Sequence, residues 1–114
     1  MKVCRNEVWL VDLSDNKGSE QGGLRPALVV QNELGNKFAP TTIVCPLTSK
    51  TKNNISTHLT LTPEDCGIQK PSTVLFEQIR VIDKTRAKKK LGEVTNKEII
   101  QEINNKILLS LGMS

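Results

Sequence analysis

The segment Gly18-Ser19-Glu20-Gln21-Gly22-Gly23-Leu24-Arg25-Pro26 holds the densest group of side chains able to do chemistry. Three glycines punctuate a polar run, so the backbone there has wide freedom, and the loop delivers an arginine to the start of a strand. A guanidinium presents a rigid fork of donors suited to phosphate oxygens. On the residues alone two readings stand level: a mobile phosphate-binding loop, or a plain hairpin with a solvated Arg25. Other chemistries are poorly supplied. His58 is the single histidine, which excludes a two-histidine acid–base ribonuclease within one chain. There is no Gly-x-Ser-x-Gly elbow and no Walker-type phosphate loop. Asp12, Glu20, Glu77 and Asp83 could meet in space, yet carboxylates this sparse argue against a two-metal nuclease. Cys4, Cys45 and Cys66 are widely spaced and odd in number, so neither a zinc site nor a disulfide framework is expected. Cys45 reads as a small buried hydrophobe within an apolar strand. No metal and no cofactor are expected.

These groups need a scaffold, and the pattern supplies strands. Val8–Leu13 is rich in strand formers and runs into turn-prone Ser14–Gly18. A second strand is expected over Arg25–Asn32, with Pro26, which lacks an N–H, at its start or on an edge. A third covers Thr41–Thr48, whose last residue reads by itself as an ordinary strand-end threonine. Thr57–Thr62 alternates polar and apolar, as a half-buried strand should, which makes His58 a surface imidazole. Thr73–Ile82 reads as one long strand with room for a bulge. Two helices are expected to follow. Asp83 can cap one over Lys84–Leu91, with Gly92 as its stop, and its run Lys84, Arg86, Lys88, Lys89 and Lys90 reads chiefly as a solvated face. Thr95-Asn96-Lys97-Glu98 has the capping-box pattern for the other, in which Glu98 reaches back to the first N–H. Its residues Ile99, Ile100, Ile103, Ile107, Leu108 and Leu111 form one apolar stripe that must lie on a sheet or on a partner. Short strands plus a terminal helix point to a mainly β domain, a small and strongly curved antiparallel barrel.

Bulk properties fit. The chain has 114 residues, 37% apolar and 25% charged, which suits one globular domain over 1–114. It lacks the run of about 18 apolar residues a membrane span requires. The first residues, Met1 to Glu7, contain no apolar signal segment, so a cytoplasmic location is the expectation. The net charge of +4 and pI near 9.1 are compatible with a nucleic-acid partner and equally with an acidic protein. Trp9, Phe38 and Phe76 are the only aromatics, leaving little material for base stacking.

The run Gly18 to Pro26 closely resembles the signature loop of the MazF/PemK toxin family. Glu7–Leu13 resembles that family's first strand, Pro40–Thr48 its third, and Leu75–Lys84 its late strand and following turn. The likeness holds in order over nearly the whole chain and is loosest in the C-terminal helix. Asn6 stands where the family usually has glycine, and asparagine tolerates left-handed backbone better than most residues. The resemblance implies the SH3-like barrel of the PemK/CcdB-like toxins, a homodimer, and sequence-specific cleavage of single-stranded RNA without a metal. It also implies an acidic, partly disordered MazE-like antitoxin as partner. Arg25 and Thr48 fall on the family's catalytic pair. Ser19, Glu20 and Gln21 fall on its substrate loop, and Gln78 on the strand facing the RNA. Glu20, as the loop carboxylate, is the candidate base, because a guanidinium with pKa above about 12 rarely yields its proton. Toxins of the same fold that bind DNA gyrase, and plain RNA-binding barrels, are the alternatives; a gyrase binder would not need a polar groove holding Arg25 and Thr48.

Overall fold

The computed structural model describes residues 2–14, 17, 18, 20–50 and 55–114. Among them the strands are β1 (Glu7–Asp12), β2 (Leu24–Val29), β3 (Thr41–Thr48), β4 (His58–Leu61), β5 (Ser72–Leu75), β6 (Arg80–Asp83) and β7 (Ala87–Glu93). The helices are α1 (Glu33–Phe38), α2 (Pro63–Cys66) and α3 (Lys97–Ser110). Pairing is antiparallel in the order β4-β5-β3-β2-β1-β7, with β6 also on β3. The expected mainly antiparallel sheet with a C-terminal helix is present, but the sheet is not closed: β4 and β7 end it.

The middle strands bury both faces, which is why Ala27-Leu28-Val29-Val30 is unbroken rather than alternating. Leu28, Val30, Cys45, Leu47 and Phe76 belong to the core that α3 covers through Ile103. Ala27, Val29, Val44, Trp9 and Val11 form a second core on the opposite face. Burial pushes the Cys45 thiol up to about 12, so it packs as an inert hydrophobe, as expected.

Both strand prolines sit where the ladder asks least of them. Pairing of β2 with β3 begins at Ala27, one residue after Pro26. On its other side β3 pairs with β6 through Val44 and with β5 from Leu47, so Pro46 falls in the gap between them. Asn6 takes φ 71°, the left-handed conformation anticipated for it.

Four expectations are corrected. Thr73–Ile82 is two strands separated by a 3₁₀ turn, Phe76–Gln78. Phe76 is fully buried and pins that turn to the core. Lys84–Leu91 is not a helix: Asp83 caps only a 3₁₀ turn, Lys84–Arg86, and the lysines continue as β7 along β1. The cap of α3 is Asn96, whose side chain accepts from the N–H groups of Glu98 and Ile99. Its stripe packs through Ile99, Ile100, Ile103 and Ile107, while Leu108 and Leu111 are exposed. The short helices α1 and α2 were not anticipated.

Gly92 is no helix stop but the crossing point of β7 and the end of α2. A Cβ there would lie 1.8 Å from the carbonyl oxygen of Cys66. Backbone cannot step aside as a side chain can, so Gly92→Ala should cost about 3 kcal/mol. Urea unfolding checks this; an unchanged midpoint would refute the close crossing.

Candidate functional site

The sheet register explains how residues 25 and 48 meet. Ala27 lies opposite Pro46 at the end of the β2–β3 ladder, and Arg25 and Thr48 follow two residues beyond that pair on their own strands. Arg25 donates from Nε to the Gly22 carbonyl at 2.9 Å and from Nη1 to Gln21 Oε1. Nη1 also approaches the Leu47 carbonyl at 3.5 Å. Thr48 is buried, and its Oγ1 accepts from the Lys50 N–H at 3.2 Å, which leaves the hydroxyl proton to be donated elsewhere. Both residues line one groove of about 550 Å³, with apolar Leu10, Pro26 and Leu47 on its walls. Lys50, Lys70, Lys89 and Lys90 also line it, giving the groove a positive field. Lys90 is balanced by Glu7 at 3.1 Å and Glu93 at 3.2 Å. The basic run thus contributes to the groove from a strand rather than from a helix face.

The loop before Arg25 is closed at its base, where the Leu13 N–H donates to the Gly23 carbonyl at 2.8 Å. Gly23 needs φ 71°, which a side chain would oppose. The Gln21 N–H donates to Gln78 Oε1 at 2.7 Å, tying the loop to the 3₁₀ turn. Gln21, Gln78 and Glu20 line a second cavity of about 390 Å³ with Pro46, Glu77 and Arg80. Glu20 therefore lies beside the Arg25–Thr48 groove rather than in its lining, and its carboxylate accepts from the Lys17 N–H at 2.9 Å. Ser19 lies outside the described residues. The four carboxylates do not converge: Asp12 and Asp83 hold the Ser14 and Thr85 N–H groups of their own turns. Among the described residues no three His, Cys, Asp or Glu side chains gather as a metal-binding group.

His58 overturns its expected surface role. It is buried, and its Nε2 donates to Glu77 Oε2 at 2.9 Å. Thr57 Oγ1 donates to the other carboxylate oxygen at 3.1 Å. Burial alone would raise the Glu77 carboxyl, but the hydrogen bonds from His58, the backbone and Thr57 outweigh it and hold the group below its ordinary value. Because this pKa is depressed by folding, the pair favours the folded state above the usual carboxylate range. That contribution fades as pH falls through the lowered value. No sequence signal marked the pair, whose members are 19 residues apart. Trp9 and Phe76 are buried, and Phe38 is exposed on α1 beneath Lys37, so none of the aromatics lines either cavity.

Residues 4–111 match the family described as PemK-like, MazF-like toxin of type II toxin-antitoxin system. The chain is 44% identical over 110 residues to Endoribonuclease MazF of Staphylococcus saprophyticus, covering 96% of this chain and 91% of that one. Among solved structures, MazF from Deinococcus radiodurans superposes with a TM-score of 0.83 at 25% identity, over 99% of each chain. A MazE-MazF structure from the same organism matches with a TM-score of 0.77 at 28% identity, over 100% of this chain and 99% of that one. A mycobacterial endoribonuclease in complex with its cognate antitoxin matches with a TM-score of 0.81 at 26% identity, over 98% and 97%.

Proposed function

Because the chain belongs to the PemK-like, MazF-like toxin family, we propose that it is the endoribonuclease toxin of a type II toxin–antitoxin system. It cuts single-stranded messenger RNA in the cytoplasm at a short recognised sequence, and a MazE-like acidic antitoxin restrains it. The observation that carries this reading is the single groove lined by both Arg25 and Thr48, beside the loop that precedes Arg25.

In this mechanism the scissile phosphate sits between Arg25 and Thr48. The ribose 2′-oxygen attacks phosphorus, the bond to the 5′-oxygen breaks, and charge gathers on the nonbridging oxygens. Arg25 and the Thr48 hydroxyl donate to those oxygens, preorganised for the transition state. Glu20 is the acceptor assigned to the 2′-OH proton. Glu20 and Gln21 line the second cavity and Gln21 accepts from Arg25 of the first, so the carboxylate serves that proton with the phosphate near this contact. The departing 5′-oxygen takes a proton from solvent. Lys50, Lys70 and Lys89 attract flanking phosphates, while Gln21, Gln78 and Ser19 contact bases.

Incubation with a mixed RNA in excess EDTA, followed by mapping of cut ends, tests the reading. The expected result is cutting at one short sequence; a requirement for added magnesium would overturn the mechanism. A homodimer is also proposed, since Leu34 and Phe38 on α1 and Leu109 and Leu111 at the end of α3 are exposed apolar surface. Sedimentation at micromolar concentration showing only the 12.6 kDa species would contradict it.

A further inference from the structure

The buried imidazole of His58 lies far along the chain from the reactive groove, yet an unbroken series of contacts joins the two. His58 Nε2 donates to Glu77 Oε2 at 2.9 Å, and Thr57 Oγ1 holds the second carboxylate oxygen at 3.1 Å. The Phe76 N–H donates to the Thr57 carbonyl at 3.1 Å, fixing the start of the same turn to the residue that precedes β4. The 3₁₀ turn Phe76–Gln78 then has its first residue anchored in the core and its second gripped by β4. Its third residue, Gln78, is left to accept the Gln21 N–H at 2.7 Å. Gln21 in turn accepts from Arg25 Nη1 through its side chain. The 3₁₀ turn is only three residues long and occupies the gap between β5 and β6, so ladder hydrogen bonds alone hold it weakly.

We infer that His58 and Glu77 are positioning residues for the cleavage reaction. They fix the 3₁₀ turn so that Gln78 holds the substrate loop and, through Gln21, aims the Arg25 guanidinium across the groove at Thr48. A merely structural histidine on β4 would need no carboxylate on the residue that precedes Gln78. A transition-state donor loses most of its worth when misplaced by about an ångström, so a pair that sets its aim has leverage on rate without touching RNA.

The inference rests on the ribonuclease reading, and the test separates the two. Single-turnover cleavage of a saturating RNA is measured for wild type, His58→Ala, His58→Gln, Arg25→Ala and the double variant Arg25→Ala/His58→Ala. His58→Ala should cut roughly ten- to hundredfold more slowly. His58→Gln, which can still donate to Glu77, should recover most of that loss. The double variant should be no slower than Arg25→Ala alone, because His58 acts through Arg25. Folding of each protein is checked by thermal unfolding. If His58→Ala does not fold, Glu77→Ala takes its place; the Glu77 side chain is 39% exposed and its removal spares the core. Two results overturn the inference: a folded variant at the wild-type rate, or losses that multiply in the double variant. A wild-type protein that cuts nothing overturns the ribonuclease reading and this inference with it.

Discussion

An RNA with a single 2′-deoxy nucleotide immediately 5′ of the scissile phosphate is expected to remain uncut at that bond. The nucleophile in the proposed mechanism is the substrate's own 2′-OH, already held beside phosphorus, so positioning supplies much of the rate. Lysine and serine side chains able to donate line the groove around Arg25 and Thr48, suited to stabilising charge on the phosphate rather than to making hydroxide from water. Removing the 2′-oxygen removes the attacking atom, and the loss should be complete rather than partial. Products of the unmodified RNA should carry a 2′,3′-cyclic phosphate (or the 3′-phosphate from its hydrolysis) and a 5′-hydroxyl. DNA of the same sequence should bind and inhibit without being cut. Cleavage of the deoxy-substituted oligonucleotide at the same bond, or 5′-phosphate ends, would mean that water attacks.

Arg25→Ala should lower the cleavage rate by roughly a hundredfold or more while the protein stays folded, the usual cost of removing one transition-state donor. Arg25 is half-buried and hydrogen-bonds mainly to its own loop, through Gly22 and Gln21, so truncation leaves the sheet register intact. Thr48→Ala should have a smaller effect on rate, since a neutral hydroxyl contributes one donor where the guanidinium brings a fork and a charge. Single-turnover rates and thermal unfolding on the same preparations decide the matter. Two folded variants that cut at the wild-type rate would dismiss the pair and leave the groove a binding site only.

The strands were readable because their runs are long and apolar relative to their turns. Thr41–Thr48 matches β3 residue for residue, and the first, second and fourth strands are displaced only at their ends. What failed was decided by distant contacts. Lys84–Leu91 contains good helix formers, and pairing with β1 overrides that preference. The six-residue α1 carries Gly35 and too few turns for periodicity to register, although Asn32 caps it by accepting from the Gly35 N–H at 2.7 Å. At the candidate site, the loop and Arg25 could be noticed from composition. Thr48 became meaningful only through family likeness and the groove it shares with Arg25. His58 was misjudged because strict alternation would face it outward, whereas β4 buries both His58 and Leu61.

The two ends of the open sheet, β4 and β7, are raw strand edges, and either could template the growth of aggregates. The edges here are poor templates. The outer strand β4 has only four residues. The other, β7, carries Lys88, Lys89 and Lys90 in succession, all exposed, and its pairing with β1 is interrupted by two register shifts. A second copy laid along β7 would bring ammonium groups together at the spacing of neighbouring strands, about 4.8 Å. Lysines that line the groove thus also act against fibril growth and help keep a released toxin dispersed.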